Sequence, residues 1–498
     1  MKKKYRSILI ISIWVLLWQL AAVLINKKII FVGPLEVVKA LAEQIWQPEF
    51  WQTIFSSSAR ICGGFLAAFP LAALIGVTAS QFGLLQEFLE PAVGLLQSVP
   101  VASFVILALI WIGSENLSIL ISMIVVFPVI YRNTVQGMQA ADEEMLEMAQ
   151  VFRLGWRRRF LYVYRPAMFP YLVSASKIAF GMAWKSGVAA EVIGVPDMSI
   201  GEKLYMAKIY LSTAELFAWT LVIIVVSRVL ERGFLWVLGW FDAGKEVPVE
   251  QNWRCRKTKA ELGSSKTHPD PIVLHNISKT YQDKVVLQNF SMELEGGGIY
   301  CLMGPSGIGK TTLLRILMGL EAPDAVESAR NCGERIAESG SDVDKCSKSD
   351  SDVSYNRQAR IAEFDQTRIS AVFQENRLFL FTDAVKNIRL AAGRMGLWIQ
   401  AEELLDGLLE QDAWKKPVSQ LSGGMQRRVA VLRALAVKSD FLIMDEPFTG
   451  LDPETKERLI AAILKYRNGR TLLVVTHQEE DARLLGAEII RMESVHGV

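Results

Sequence analysis

Ile299-Tyr300-Cys301-Leu302-Met303-Gly304-Pro305-Ser306-Gly307-Ile308-Gly309-Lys310-Thr311-Thr312 joins a short apolar run to a glycine-punctuated turn, and the apolar residues 313–320 continue from it. The run has the length and composition of a buried strand, and the residues after the turn have those of a helix. A strand feeding such a turn into a helix is the context a phosphate-binding loop requires. Glycines let successive backbone N–H groups face a phosphate, Lys310 neutralises its oxygens, and Thr311 offers a hydroxyl to a divalent cation. Gly304, Pro305, Ser306, Gly307, Ile308, Gly309, Lys310, Thr311 and Thr312 are therefore the first candidate binding residues.

Downstream, Phe441-Leu442-Ile443-Met444-Asp445-Glu446 is a second apolar run, ending in two carboxylates. That arrangement puts one carboxylate on a metal and the other beside an attacking water, so Asp445 is assigned to Mg²⁺ and Glu446 to water polarisation. Between the two motifs lies Leu421-Ser422-Gly423-Gly424-Met425-Gln426, which opens a helical stretch running to Ala436. A serine and two glycines at a helix start form an anion site from backbone amides and the helix dipole.

Working outward, the chain divides by composition. Residues 1–250 carry 21 Lys+Arg and 18 Asp+Glu, and residues 251–498 carry the other 33 and 34. The apolar half contains uncharged runs at residues 7–25, 61–80, 91–114 and 116–131, with further candidate spans at 166–190 and 216–227. Runs of this length suit helices crossing a bilayer, and the set predicts an all-α polytopic region of about six transmembrane helices. Arg132, Arg153, Arg157, Arg158, Arg159 and Arg165 cluster in the loop that six spans would place in the cytoplasm, in keeping with the positive-inside bias. Lys177, Lys185 and Glu191 are the ionisable residues in or beside a span, and Lys185 is the stronger candidate for a solute path. The expected domains are 1–241 (membrane region), 242–270 (a polar linker) and 271–498 (an α/β P-loop domain). A polar insertion at 325–368, too poor in apolar residues to form a core, is expected to be disordered.

A net charge of +2 gives no reason to expect a nucleic-acid partner. The five cysteines are odd in number and lack paired metal spacing, so they read as reduced thiols.

Together, the phosphate loop, the Leu-Ser-Gly-Gly stretch and the Asp-Glu strand end make the second half resemble the ATP-binding-cassette (ABC) family. The resemblance implies that Ser422 and Gly424 touch the γ-phosphate of ATP held by a partner subunit, with Gly423 between them also counted among the nucleotide-binding residues. It also implies that Gln374 senses Mg²⁺ and water, Asp452 links opposite sites, His477 contacts the γ-phosphate and Tyr281 stacks on adenine. Arg427 stands where the family usually has glutamine, and Leu432 where alanine is common. The first half resembles the permeases of binding-protein-dependent importers of the nitrate, sulfonate and taurine branch. Its marks are Arg60 before Gly63-Gly64-Phe65, Ser98-Val99-Pro100, Trp111-Ile112-Gly113, Phe127-Pro128 and Ala189-Ala190-Glu191-Val192-Ile193-Gly194. In that resemblance the loop from Asp142 through Gly155 to Pro166 is the element that docks on the ATPase, although the usual Glu-Ala-Ala is not matched in register. Taken together, the two resemblances imply an importer that joins permease and ATPase, sits multi-pass in the inner membrane, uses ATP and Mg²⁺, works as a homodimer, and receives a small solute from an external binding protein. An exporter, or an ATP-regulated membrane protein that moves no solute, are the rival readings. A short inner loop near residues 81–90 argues against the first, and intact Glu446 and His477 argue against the second.

Overall fold

The computed structural model describes residues 2–25, 27, 29–242, 271–282, 284–324, 361–362, 368–393 and 395–492. The expected linker falls almost entirely outside the described residues, as does most of the 325–368 insertion. By packing, the chain forms two compact units: Met1–Ala141 with Tyr164–Lys245, and Asp142–Val163 with Glu246–Val498.

The first unit is helical. Among the described residues two helices are long and apolar enough to cross a bilayer, Pro48–Gln81 and Leu117–Gln139, and they pack on each other and on the long helix Arg165–Gly194. Small residues allow the close approach: a methyl added at Gly76 would lie 2.8 Å from Thr134 Cβ, and one at Gly187 would lie 2.7 Å from Ile61 Cγ1. Lipid offers no hydrophobic drive between helices, so backbone proximity and dispersion contacts hold such pairs together. The uninterrupted span expected over residues 91–114 is instead broken. Gly83–Ser98 and Val101–Ile112 meet at a 100° bend. Pro100 has no N–H to donate and pushes Val99 into extended backbone (φ −70°, ψ 126°), which ends the first helix. Lys177 and Lys185 are exposed on Arg165–Gly194, whereas Glu191 is buried. Glu191 accepts a hydrogen bond from Ser57 Oγ at 2.7 Å and one from the Gly201 backbone N–H at 3.3 Å, so it fastens the start of helix Ile200–Ile209.

The second unit is α/β. Strands β1 (Ile272–Tyr281), β2 (Lys284–Leu294), β3 (Ile299–Met303), β4 (Ile361–Ala362), β5 (Ile369–Val372), β6 (Phe441–Asp445), β7 (Thr471–Val475) and β8 (Glu488–Arg491) form two sheets. One is antiparallel in the order β2-β1-β4; the other is parallel in the order β5-β6-β7-β3-β8. The strands β5, β6 and β7 are buried at every position, as sheets covered on both faces must be. Leu302, Ile443, Leu473, Leu313 and Leu317 are among the fully enclosed residues around them. In an open parallel sheet, ligand-binding loops gather outside the carboxyl ends of the strands. The segments leaving β3, β5, β6 and β7 carry Lys310, Gln374, Glu446 and His477.

Candidate functional site

Gly307 (φ 80°) and Gly309 (φ 106°) take the left-handed turns that wind the loop after β3 back on itself. At Gly309 a side chain is excluded twice over, since an added Cβ would also lie 2.9 Å from Leu287 Cδ2. Lys310 begins helix Lys310–Leu317 and is 7% exposed, with Nζ donating to the Gly304 and Pro305 carbonyls at 2.7 and 2.9 Å. Burial holds its pKa below the ordinary lysine value, against a smaller upward pull from the nearby carboxylates of Asp445 and Glu446. The result is an enclosed ammonium held by neutral loop carbonyls, next to a glycine position that admits no side chain. These residues fit a polyanionic phosphate.

Asp445 ends β6 almost fully enclosed, and burial together with the adjacent Glu446 carboxylate pushes its pKa up to about 6. Glu446 adopts a left-handed backbone (φ 46°), which a non-glycine residue reaches only at a cost. Its N–H donates to the Val475 carbonyl at 2.9 Å. Its carboxylate lies 3.2 Å from His477 Nε2 and accepts from Thr449 Oγ1 at 3.2 Å. Among the described residues no group of three His, Cys, Asp or Glu side chains could hold a metal by itself. A magnesium ion needs only one or two carboxylates when phosphate oxygens complete its shell, so Asp445 fits that cation.

The structure thus brings Lys310, Asp445, Glu446 and His477 to one end of the parallel sheet. Gln374 is exposed just after β5, and Tyr281 ends β1 with its hydroxyl donating to Glu321. Ser422 and Asp452 do something else within this chain: each caps a helix. Ser422 Oγ accepts from the Met425 N–H at 3.3 Å, and Asp452 Oδ1 accepts from the Thr455 N–H at 2.9 Å. Gly424 lies beside Leu451 and Gly450.

The segment Asp142–Val163 packs within the second unit. Asp142 caps helix Glu143–Val151 through the Glu144 N–H. Sequence reasoning missed Glu147 on that helix. Arg315 donates to both of its carboxylate oxygens, at 3.0 and 2.5 Å, and Arg377 Nη1 donates at 2.8 Å. Burial alone would push the Glu147 pKa up; hydrogen bonds from the two arginines outweigh it and the net shift is downward. Phe152 is fully buried, with the Arg433 guanidinium 4.8 Å from its ring centre, and Tyr162 stacks parallel to Phe381. Arg157 is exposed, whereas Arg158 donates to the Leu390 carbonyl at 3.2 Å. The available signal for Glu147 was its place on the buried side of an amphipathic helix, one turn before Val151.

Comparison with known proteins agrees with both halves. The ABC transporter family model matches residues 287–449, and that of the binding-protein-dependent transport system inner membrane component matches residues 68–243. The taurine import ATP-binding protein of Roseobacter denitrificans is 35% identical over 209 residues, covering 41% of this chain and 68% of that protein. The Fe(3+) ions import ATP-binding protein of Agrobacterium fabrum is 34% identical over 232 residues, covering 45% and 59%. Among solved structures, a dimeric bacterial ABC transporter cassette aligns over 46% of this chain and 100% of its own at 26% identity, with a TM-score of 0.34. The chain belongs to the ABC transporter family. It is a multi-pass membrane protein that joins a permease region to an ATP-binding ATPase coupled to transport.

Proposed function

We propose that two copies of this chain form an importer of the inner membrane, with the ATPase in the cytoplasm, moving a small solute delivered by an external binding protein. Residues 1–241 act as the permease with about six spans, 242–270 as the tether and 271–498 as the ATPase. The solute class is that of the taurine, sulfonate and nitrate importers or of vitamin-precursor importers. The observation that carries the reading is the two-arginine clasp on Glu147. It joins a segment continuous with the permease helices to the helix that comes after the phosphate loop.

In this reading ATP supplies a phosphoanhydride whose hydrolysis drives the cycle, with Mg²⁺ offsetting its charge. Residues 304–312 cradle the phosphates, with Lys310 exchanging its loop carbonyls for phosphate oxygens. Thr311, Asp445 and Gln374 hold the magnesium ion, Glu446 orients and polarises water, and His477 steadies Glu446. Tyr281 provides the adenine platform. Ser422, Gly423, Gly424 and Asp452 serve the partner's site and not the Lys310 cluster of their own chain. One chain carries one phosphate loop and one signature helix, so a second copy completes each site.

Right-side-out vesicles loaded with ATP and supplied with a taurine-binding protein on their outer face test the proposal. Accumulation of labelled taurine or another small anion is expected. Uptake confined to inside-out vesicles would make the protein an exporter, and hydrolysis without movement in either would make it an ATP-regulated protein that carries nothing.

A further inference from the structure

Helix Gly423–Ala436 carries two buried arginines that the proposed chemistry leaves unused. Arg433 is fully enclosed and donates from Nη1 to the Arg377 carbonyl at 2.6 Å and from Nη2 to the Asn376 carbonyl at 3.4 Å. Arg427, 4% exposed, reaches two separate stretches of main chain. Its Nη1 donates to the carbonyls of Phe373 (2.6 Å) and Gln374 (3.1 Å) and to Asn376 Oδ1 (3.3 Å). Its Nη2 donates to the carbonyls of Asp445 (2.6 Å) and Glu446 (2.5 Å).

Burying a guanidinium is expensive unless its donors are met; here the terminal nitrogens are met almost wholly by backbone oxygens, while the Nε of each arginine is buried without a partner. Arg377 (φ 42°) and Glu446 (φ 46°) both stand in the left-handed region. Residues in such conformations cost on the order of 1–3 kcal/mol each and persist only where their surroundings fix them. Each has its carbonyl held by an arginine of the same helix. Arg377 also clasps Glu147 of the docking segment, and Phe152 of that segment rests on Arg433. A rigid helix thus grips the stretch under the docking segment with one arginine, and with the other ties that stretch to the strand end bearing both carboxylates.

We propose that Arg427 is a positioning residue for hydrolysis, holding the Glu446 backbone in its left-handed conformation and yoking it to residues 373–376. Displacement of the docking segment then reaches the carboxylates through main chain. This inference rests on the reading of Glu446 as the water-orienting group.

The test uses the full-length protein in nanodiscs, with Arg427→Met and Arg427→Lys. Methionine fills similar space and donates no hydrogen bond, so it holds neither stretch; lysine has a single ammonium that can hold one. For Arg427→Met, kcat for ATP is expected to fall about ten-fold or more with KM changed less than about three-fold, the pattern of an interaction made only in the transition state. Arg427→Lys should fall between it and the parent, and supplies the comparison alone should Arg427→Met not fold. Combining Arg427→Met with Glu147→Ala should give a kcat loss smaller than the product of the single losses, because both act through residues 373–377. Parental kcat in the variants, or a loss accounted for by the unfolded fraction, overturns the positioning role; multiplicative losses overturn the link to docking. Glu446→Gln measured alongside separates the claims. Parental turnover there overturns the assignment of Glu446, whereas loss there with parental kcat in Arg427→Met overturns that of Arg427 only.

Discussion

Two carboxylate sites in the ATP-binding unit treat buried charge in opposite ways. Glu147 meets two guanidinium groups and its pKa is drawn down, while Asp445 meets burial and a second carboxylate and its pKa is pushed up to about 6. A carboxylate whose charge is fully answered within the protein is a fastening. One left short of positive charge suits the cation that, in the proposed function, would arrive with the nucleotide. The contrast separates docking from chemistry without reference to motif.

Removing the carboxylate nearest the chemistry gives the largest effect. Glu446→Gln should lower hydrolysis by about 100-fold or more, the scale of general acid–base contributions. Nucleotide affinity should remain within a few-fold, measured by a fluorescent ATP analogue beside a phosphate-release assay.

On the other side of the comparison, Glu147→Ala leaves two guanidinium groups facing each other. A cost of about 1–2 kcal/mol is expected, between that of an exposed ion pair and that of a fully buried pair losing one partner, because the clasp is half-buried. The released segment should open Arg158 and Arg159, both partly buried in the docked segment, to trypsin, so cleavage there should quicken several-fold. An unchanged digestion pattern would show the clasp to be incidental.

A pH-dependent effect sharpens the contrast. Because the folded pKa of Asp445 lies above its ordinary value of 3.8, the stability tied to its protonated form is present below about pH 4 and lost as pH rises through about 6. Asp445→Asn should therefore stabilise the nucleotide-free protein by roughly 3 kcal/mol at pH 7, given about 1.4 kcal/mol per pKa unit. The advantage should vanish near pH 4 in thermal melts. An advantage independent of pH would mean that the carboxylate is not short of positive charge.

Smallest is an expected silence. The thiol of Cys301, buried in β3 and pushed up to about 12, should resist iodoacetamide at pH 8 until the protein unfolds.

How legible each site was in the sequence depends on how local it is. The phosphate loop and Asp445-Glu446 are written in consecutive residues because a strand, its exit turn and the next helix are consecutive. The clasp on Glu147 draws its arginines from 168 and 230 residues away, a pairing that the spacing of a single chain does not encode. Within the docking segment Phe152 is buried against Arg433, whereas Arg157 is exposed and its neighbour Arg158 bonds instead. Helical phase near the break at Gly155 decides between adjacent arginines, and the helix geometry there is irregular. In the helical unit, the bend at Pro100 was readable from proline chemistry, yet the apolar run on both sides reads as one span by composition. The burial of Glu191, held by Ser57 and Gly201, depends on helices far apart in sequence.

The docking segment Asp142–Val163 and the ATPase it packs on belong to one polypeptide, so their meeting is a ring closure and not a bimolecular encounter. Connection within one chain keeps two such partners at an effective concentration on the order of millimolar, whatever the abundance of the protein in the membrane. Docking contacts in a chain of this design can therefore be individually modest and quickly broken while the docked state stays dominant. The same clasp between separately synthesised subunits would have to survive dilution, and would be selected for slow dissociation instead of easy release at each turnover.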